Sequence, residues 1–370
     1  MKNTIKGKFR KIHLWLGLTS GLIVFIVALT GALYAFKNEI EAVCKEQHLI
    51  DSKEKKLLPP SKLKSIVEKE IPNKKVHAIQ YHEATEPAEV ILYNAAPKYH
   101  YIVSLNPYSG KVLHIKNEEE GFFHFIFQGH MYLWLPQALG QIVAATATLL
   151  FLFLVITGLV LWYPKRKKEL KKRVWFRWKE DIKWKRKNFD LHSIIGFYVS
   201  LLALIFIITG LAWGFPWFGY LYYKAIGGEK SVLYVDPVSS KQKTIDSIPS
   251  IDKAFYIMKV EYQSAKSIEI HPPETDSTSI ACNANSEKET YWKTDYRYFD
   301  QYTLEEKSVD LVWGRFAKAD NSDKLLRMNY DIHTGAIAGL AGKTFAFLIS
   351  LLIASLPVTG FLIWWGRKNK

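Results

Sequence analysis

The chain has 370 residues, room for two or three domains, and its 50 Lys and Arg against 35 Asp and Glu give a formal net charge of +15. Its mean hydropathy of −0.04 averages long uncharged stretches with a polar, lysine-rich remainder. The densest basic run lies between two membrane spans, so the charge is a topology signal with affinity for anionic lipid. It is not a nucleic-acid footprint.

In chain order, the apolar stretches are 14–36, 138–163, 194–218 and 344–365. Each holds the roughly 20 apolar residues needed to cross a hydrocarbon core. Aromatic residues gather at their ends, among them Trp15, Tyr34, Trp162, Tyr163, Trp213, Trp217, Trp364 and Trp365, as expected at headgroup level. The first stretch follows a basic lead-in, but its run is too long for a signal core and no small-x-small site follows, so it reads as a retained anchor. The segment 38–127 carries an amphipathic helix pattern, "SKLKSIVEKEI", then "AEVILYN", "YHYIVSL" and "NPYSGKVLHI", strands with an Asn-Pro-Tyr-Ser-Gly turn. Between the second and third spans, residues 165–187 hold thirteen Lys or Arg against three acids. With the basic N-terminus and the tail "GRKNK", this predicts cytoplasmic termini and two outer segments. The second outer segment offers a hairpin with an Asp-Pro turn, "SVLYVDPVSSKQKTI", a helix, "SIDKAFYIMKVEY", and two strands around Asp300-Gln301-Tyr302-Thr303. Cys44 and Cys282 fall one in each outer segment, in a compartment that permits a bridge between them, and read as separate thiols in preference to that bridge. No Cys-x-x-Cys-His occurs, so covalent c-type haem is excluded.

A repeat runs through this plan. His13 precedes Thr30-Gly31 by seventeen positions, and His192 precedes Thr209-Gly210 by the same offset. His130 and His333 stand before the second and fourth spans, twenty-seven and twenty-six positions ahead of Thr157-Gly158 and Thr359-Gly360. The fold class expected is an α-helical membrane protein with four transmembrane helices and two small external α+β modules, internally duplicated. The Thr-Gly pairs read as helix-packing positions.

The histidine-headed, Thr-Gly-tailed spans, with stretches 9–36, 104–114, 128–163, 190–213 and 330–366, resemble the PepSY-associated transmembrane family. The helix, strands and Asn-Pro-Tyr-Ser-Gly hairpin between them resemble a PepSY domain. The second outer segment departs from that pattern, with Glu305 where the hairpin glycine is usual. The resemblance implies an iron-regulated inner-membrane protein or a haem-containing ferric-siderophore reductase, with external PepSY-like domains at 38–127 and 219–330. The remaining divisions are 1–37, 128–164, 190–218 and 331–370 for the four helices and 165–189 for the basic loop.

The spans hold no charged residue except Lys343 at an edge, so no acidic proton relay crosses them. The titratable groups shared by all four helices are the heading histidines. Neutral imidazole is a good ligand for haem iron, and two imidazoles from neighbouring helices can hold a b-type haem. Depth pairs His13 with His192 at the cytoplasmic side and His130 with His333 outside, which predicts two haems. His124 competes for the outer site. Straight helices would leave the outer histidines above the core, about 40 Å from their Thr-Gly pairs. Pro136 can break the lead-in to the second span, and Gly335, Gly339 and Gly342 can let the fourth approach a flat ring. His48, His77, His82, His100, His114 and His271 read as solvated or strand-packed. The expected function is electron transfer from a quinol or a separate cytoplasmic donor, through an inner and then an outer haem, to an external acceptor in the periplasm. Resemblance makes that acceptor a ferric siderophore. The basic loop lies on membrane lipid or docks an acidic donor. The competing functions are a non-enzymatic regulator or inhibitor of an external peptidase, and a transporter subunit.

Overall fold

The computed structural model describes residues 4–44, 50, 56–164, 166–240 and 247–368, without the side chains of Cys44, Lys167 and Lys172. The helices are α1 (Ile5–Tyr34), α2 (Lys37–Cys44), α3 (Pro60–Glu70), α4 (Phe122–Tyr132), α5 (Gln137–Trp162), α6 (Trp184–Gly214), α7 (Pro216–Ala225), α8 (Ser250–Glu261), α9 (Asn321–Arg327), α10 (Asn329–Thr334) and α11 (Gly339–Lys368). The strands are β1 (Val76–Tyr81), β2 (Ala88–Ala95), β3 (Lys98–Leu105), β4 (Val112–Asn117), β5 (Ser267–His271), β6 (Ile280–Asn285) and β7 (Asp295–Phe299). The chain divides into two compact units, one of residues 1–41, 122–222 and 329–370, the other of residues 42–121 and 223–328.

In the first unit, α1, α5, α6 and α11 are long and apolar enough to cross a membrane. The protein is a membrane protein. α1 packs against α5 and α11, and α6 packs against the same two, so α1 and α6 face each other diagonally. Val24, Val155, Val199, Ala203, Ile207, Leu211, Ile349 and Ile353 fill the centre. Leu22, Ile142, Leu201 and Phe345 are exposed on the outside, where lipid is the solvent. Lys343 is buried and pairs with Glu39 at 2.7 Å, which satisfies the charge at the span's edge.

The lead-ins to α5 and α11 are not straight. After α4 the chain reverses through Leu133 and Trp134, both at positive φ, and Pro136 precedes α5. Gly140 lets α5 press against the end of α4, since a Cβ there would sit 2.2 Å from the Tyr132 carbonyl oxygen. Before α11, Gly335 at φ +80° makes the equivalent turn, and its added Cβ would meet the Gly342 carbonyl at 2.3 Å. Gly335 and Gly342 press against each other in this lead-in, while a Cβ on Gly339 would meet nothing within 4 Å. α4 therefore folds back against α1, and α10 against α6. The expected 40 Å displacement of the outer histidines does not arise.

The second unit is an antiparallel sheet in the order β4-β3-β2-β1-β5-β6-β7. β1 and β5 pair through Ile79↔Ile270, so the two expected modules share one continuous sheet. Leu63 and Val67 of α3 and Phe255 and Met258 of α8 pack on the buried strand residues in one core. Buried Asp252 of α8 accepts from the Ser61 backbone N–H (2.8 Å) and hydroxyl (2.6 Å) of α3, which ties the helices together. At the Asn-Pro-Tyr-Ser-Gly turn, Asn106 Oδ1 accepts from the N–H groups of Tyr108 and Ser109, and Gly110 takes φ +75°. Asp300 makes the same bonds to Tyr302 and Thr303, and Leu304 takes φ +62°. Leu304, not Glu305, therefore stands at the hairpin glycine's position. After that turn the chain makes a single bridge, Phe299↔Glu306, instead of a second strand. The arms of the expected Asp-Pro hairpin do not pair with each other among the described residues: Ser231, before the turn, bridges Leu311, Val238, just after it, bridges Thr278, and most of the second arm lies outside the described residues. Cys282 is a buried free thiol. His48 lies outside the described residues.

On the sheet, the His77 and His271 rings meet at 5.0 Å. Burial, and next the neighbouring His271, holds the His77 imidazole below its ordinary pKa. The unfolded chain then binds a proton at higher pH than the folded one. This stability is present above about pH 6.5 and declines as pH falls through that value. Hydrogen-exchange protection of β1 and β5 in the full-length protein, corrected for the intrinsic exchange rate at each pH, should fall between pH 7.5 and 5.5. His77→Phe should flatten that dependence, and an unaltered pH profile would show that His77 does not cause it.

Candidate functional site

His13 on α1 and His192 on α6 meet across the diagonal of the bundle, with ring centroids 6.2 Å apart and planes at 80°. His13 Nδ1 lies 2.9 Å from the Thr157 hydroxyl oxygen on α5. That hydroxyl donates along its own helix to the Phe153 carbonyl at 2.8 Å, so towards the histidine it can only accept. His192 Nδ1 lies 3.0 Å from the Thr359 hydroxyl and 3.1 Å from the Leu356 carbonyl, both on α11. A carbonyl never donates. The carbonyl fixes the His192 proton on Nδ1, the Thr157 hydroxyl already spent on its own helix favours the same tautomer for His13, and neither Nε2 has a hydrogen-bond partner among the described residues.

The second pair sits at the other end of the bundle. His130 on α4 and His333 on α10 are 6.1 Å apart, at 61°. His333 Nδ1 donates to the Thr209 hydroxyl of α6 at 2.8 Å, while that hydroxyl donates to Ile205 O at 2.7 Å. His130 Nδ1 donates to the Val27 carbonyl of α1 at 2.9 Å. The Trp213 and Phe206 rings flank His333 at 5.8 and 5.9 Å. His13 and Thr30 are seventeen residues apart on α1, about 26 Å of helix, and His192 and Thr209 are equally spaced on α6.

Each Thr-Gly pair thus faces a histidine from another helix. A Cβ on Gly158 or Gly360 would stand 3.4 or 3.2 Å from Cε1 of His13 or His192. On Gly210 or Gly31 it would stand 3.3 or 2.7 Å from Cε1 of His333 or His130. The expected packing role is too small a description, because three of the threonines orient an imidazole and all four glycines make room for one. Thr30 is the exception: among the described residues its hydroxyl bonds only to Ile26 and Val27 of its own helix. Thr209→Val should therefore strip His333 of its acceptor at a cost of about 1–3 kcal/mol, whereas Thr30→Val should change little. The comparison is read as thermal stability of the two purified variants; equal losses would refute the assignment.

His124 does not share the face of His130, because six residues turn α4 through about 240° beyond a full rotation. It is half-buried on α4. Among the described residues no group of three or more His, Cys, Asp or Glu converges as a metal site. A free divalent ion such as zinc wants about four protein ligands. Two imidazoles instead suit an iron whose other four ligands come from a macrocycle. The 6.2 and 6.1 Å separations also suit two imidazoles placed either side of one metal at bonds of about 2 Å. The residues present fit a b-type haem at each pair.

Residues 10–367 match the family described as PepSY-associated TM region. The chain belongs to this family. No curated protein matches it. Within this PepSY-associated chain, both histidine pairs and all four Thr-Gly pairs lie inside the matched residues.

Proposed function

We propose that this protein is a haem-b reductase of the inner membrane that passes electrons across the bilayer to an external ferric chelate, a siderophore in particular, for iron acquisition. The observation that carries the reading is the donor set: two pairs of imidazoles near opposite ends of the bundle, each with Nδ1 bonded to a hydroxyl or carbonyl of another helix and Nε2 without a hydrogen-bond partner among the described residues. A haem bound at each pair supplies a one-electron Fe(III)/Fe(II) couple. The chain's own contribution is to fix four ring planes, exclude water between apolar helices and set the two sites about 26 Å apart along α1. The external Fe(III) gains one electron, and the resulting Fe(II) leaves because the chelate holds it far more weakly. The sequence carries no nicotinamide or flavin fingerprint, so the electron comes from a quinol or a separate cytoplasmic protein. The matching order of histidine, Thr-Gly pair, helix and strands in the two halves supports an internal duplication.

Two experiments test this reading. Dithionite-reduced protein in lipid vesicles should be reoxidised by an external ferric chelate, with Fe(II) appearing in a ferrozine trap; a reduced spectrum that persists would rule the activity out. The proposed orientation places the basic loop in the cytoplasm. In a Cys44→Ser background, Trp175→Cys should label only from the cytoplasmic side and Glu274→Cys only from outside. The reverse pattern would invert the electron path.

A further inference from the structure

The motif Asn-[Phe/Tyr]-Asp-[Leu/Ile]-His occurs twice, as "NFDLH" at 188–192 and "NYDIH" at 329–333. Each copy ends on one histidine of one pair. Residues four apart share a helix face, so each asparagine stands one turn before its histidine. Asn188 Nδ2 donates to the Thr359 carbonyl at 3.0 Å, and Asn329 Nδ2 donates to the Thr209 carbonyl at 3.0 Å. These are the same two threonines whose hydroxyls accept from His192 and His333. A carbonyl cannot donate, so the nitrogen end of each amide must face it.

The result is a two-point grip: asparagine on the threonine's backbone oxygen, histidine on its side-chain oxygen. The partner histidines have no such grip, since Phe9 and Ile126 stand four residues before His13 and His130. Both asparagines are 3% exposed, and both Oδ1 atoms are buried without a hydrogen-bond partner among the described residues. A buried amide oxygen left unpaired is unfavourable. The threonine carbonyl meanwhile keeps its own intrahelical bond. Leucine would satisfy packing there at less cost, so stability alone does not account for asparagine at both places.

We propose that Asn188 and Asn329 are positioning residues that fix the ring planes of His192 and His333 as axial haem ligands. The proposal rests on the haem reading above. Its test is the low-temperature EPR spectrum and redox titration of the full-length protein, compared with Asn188→Leu and Asn329→Leu. Asn188→Leu should shift the g-values and midpoint potential of one haem, and Asn329→Leu those of the other, with melting temperature unchanged or raised. Partners beyond the first ligand shell typically change metal affinity about 10–100-fold. Acting one bond further out, each substitution should speed loss of its haem to apomyoglobin about tenfold. Asn188→Asp and Asn329→Asp, which keep the shape but replace the amide N–H, should shift the same signals if a leucine variant fails to fold. Unaltered spectra in the variants, or a lowered melting temperature without a spectral change, would overturn the proposal. A parent protein without haem would instead remove the reading on which it rests, and the proposal with it.

Discussion

Alanine at His192 should remove one haem and leave about half the haem per chain, and alanine at His13 should remove the same one. The two rings are 6.2 Å apart and belong to opposite helices of the bundle, so neither can serve a different centre. His130→Ala and His333→Ala should each remove the other haem, through the 6.1 Å pair. The two centres are separated by about 26 Å of α1, too far for loss at one to empty the other directly. Conversion to a high-spin form, with one axial imidazole retained, is an equivalent outcome within either pair. Grouping of His13→Ala with His333→Ala, and apart from His192→Ala, would break the assignment. Activity should divide along the same line. Protein altered at His13 or His192 should still be reoxidised by an external ferric chelate, but it should no longer be re-reduced from the cytoplasmic side.

Gly31→Val should be nearly as damaging to the outer site as losing His130 itself. A Cβ alone would stand 2.7 Å from His130 Cε1 and 2.9 Å from Nδ1, closer than carbon atoms pack. The ring cannot yield along its plane without giving up its bond to the Val27 carbonyl. Branching at the added side chain leaves the imidazole no second position, so the variant should lose the outer haem and retain the inner one. Gly17→Ala on the same helix provides the control, because its Cβ would meet only Leu154 at 3.8 Å. Intact outer haem in Gly31→Val, measured beside Gly17→Ala, would show that His130 does not bind where its ring now lies.

The four spans are legible in the sequence because an apolar run of about 20 residues has few alternative meanings. α3, α8 and the Asn106 turn are equally plain, from an amphipathic period and a turn in which each residue type has a conformational reason. The role of the Thr-Gly pairs is not legible. An offset counted along α1 locates Thr30 at the far end of that helix, but says nothing about which side chain another helix brings there. The placement of His130 is hidden for a related reason: Leu133 and Trp134 turn the chain back at positive φ without a glycine to announce it. β1, β5 and β6 carry weak strand patterns, and the β1–β5 pairing that unites the sheet joins segments nearly two hundred residues apart. The paired "NFDLH" and "NYDIH" motifs stand in plain view, yet their meaning depends on carbonyls supplied by α11 and α6.

Bound haem separates a reductase from the alternatives, since neither a peptidase regulator nor a transporter subunit requires it. The most direct measurement is the pyridine haemochrome of the full-length protein purified from haem-replete cells, with acid-acetone extraction of the same sample. Two non-covalent b-type haems per chain are expected, extracted completely. A colourless protein, or haem that stays with the chain after extraction, would contradict the account.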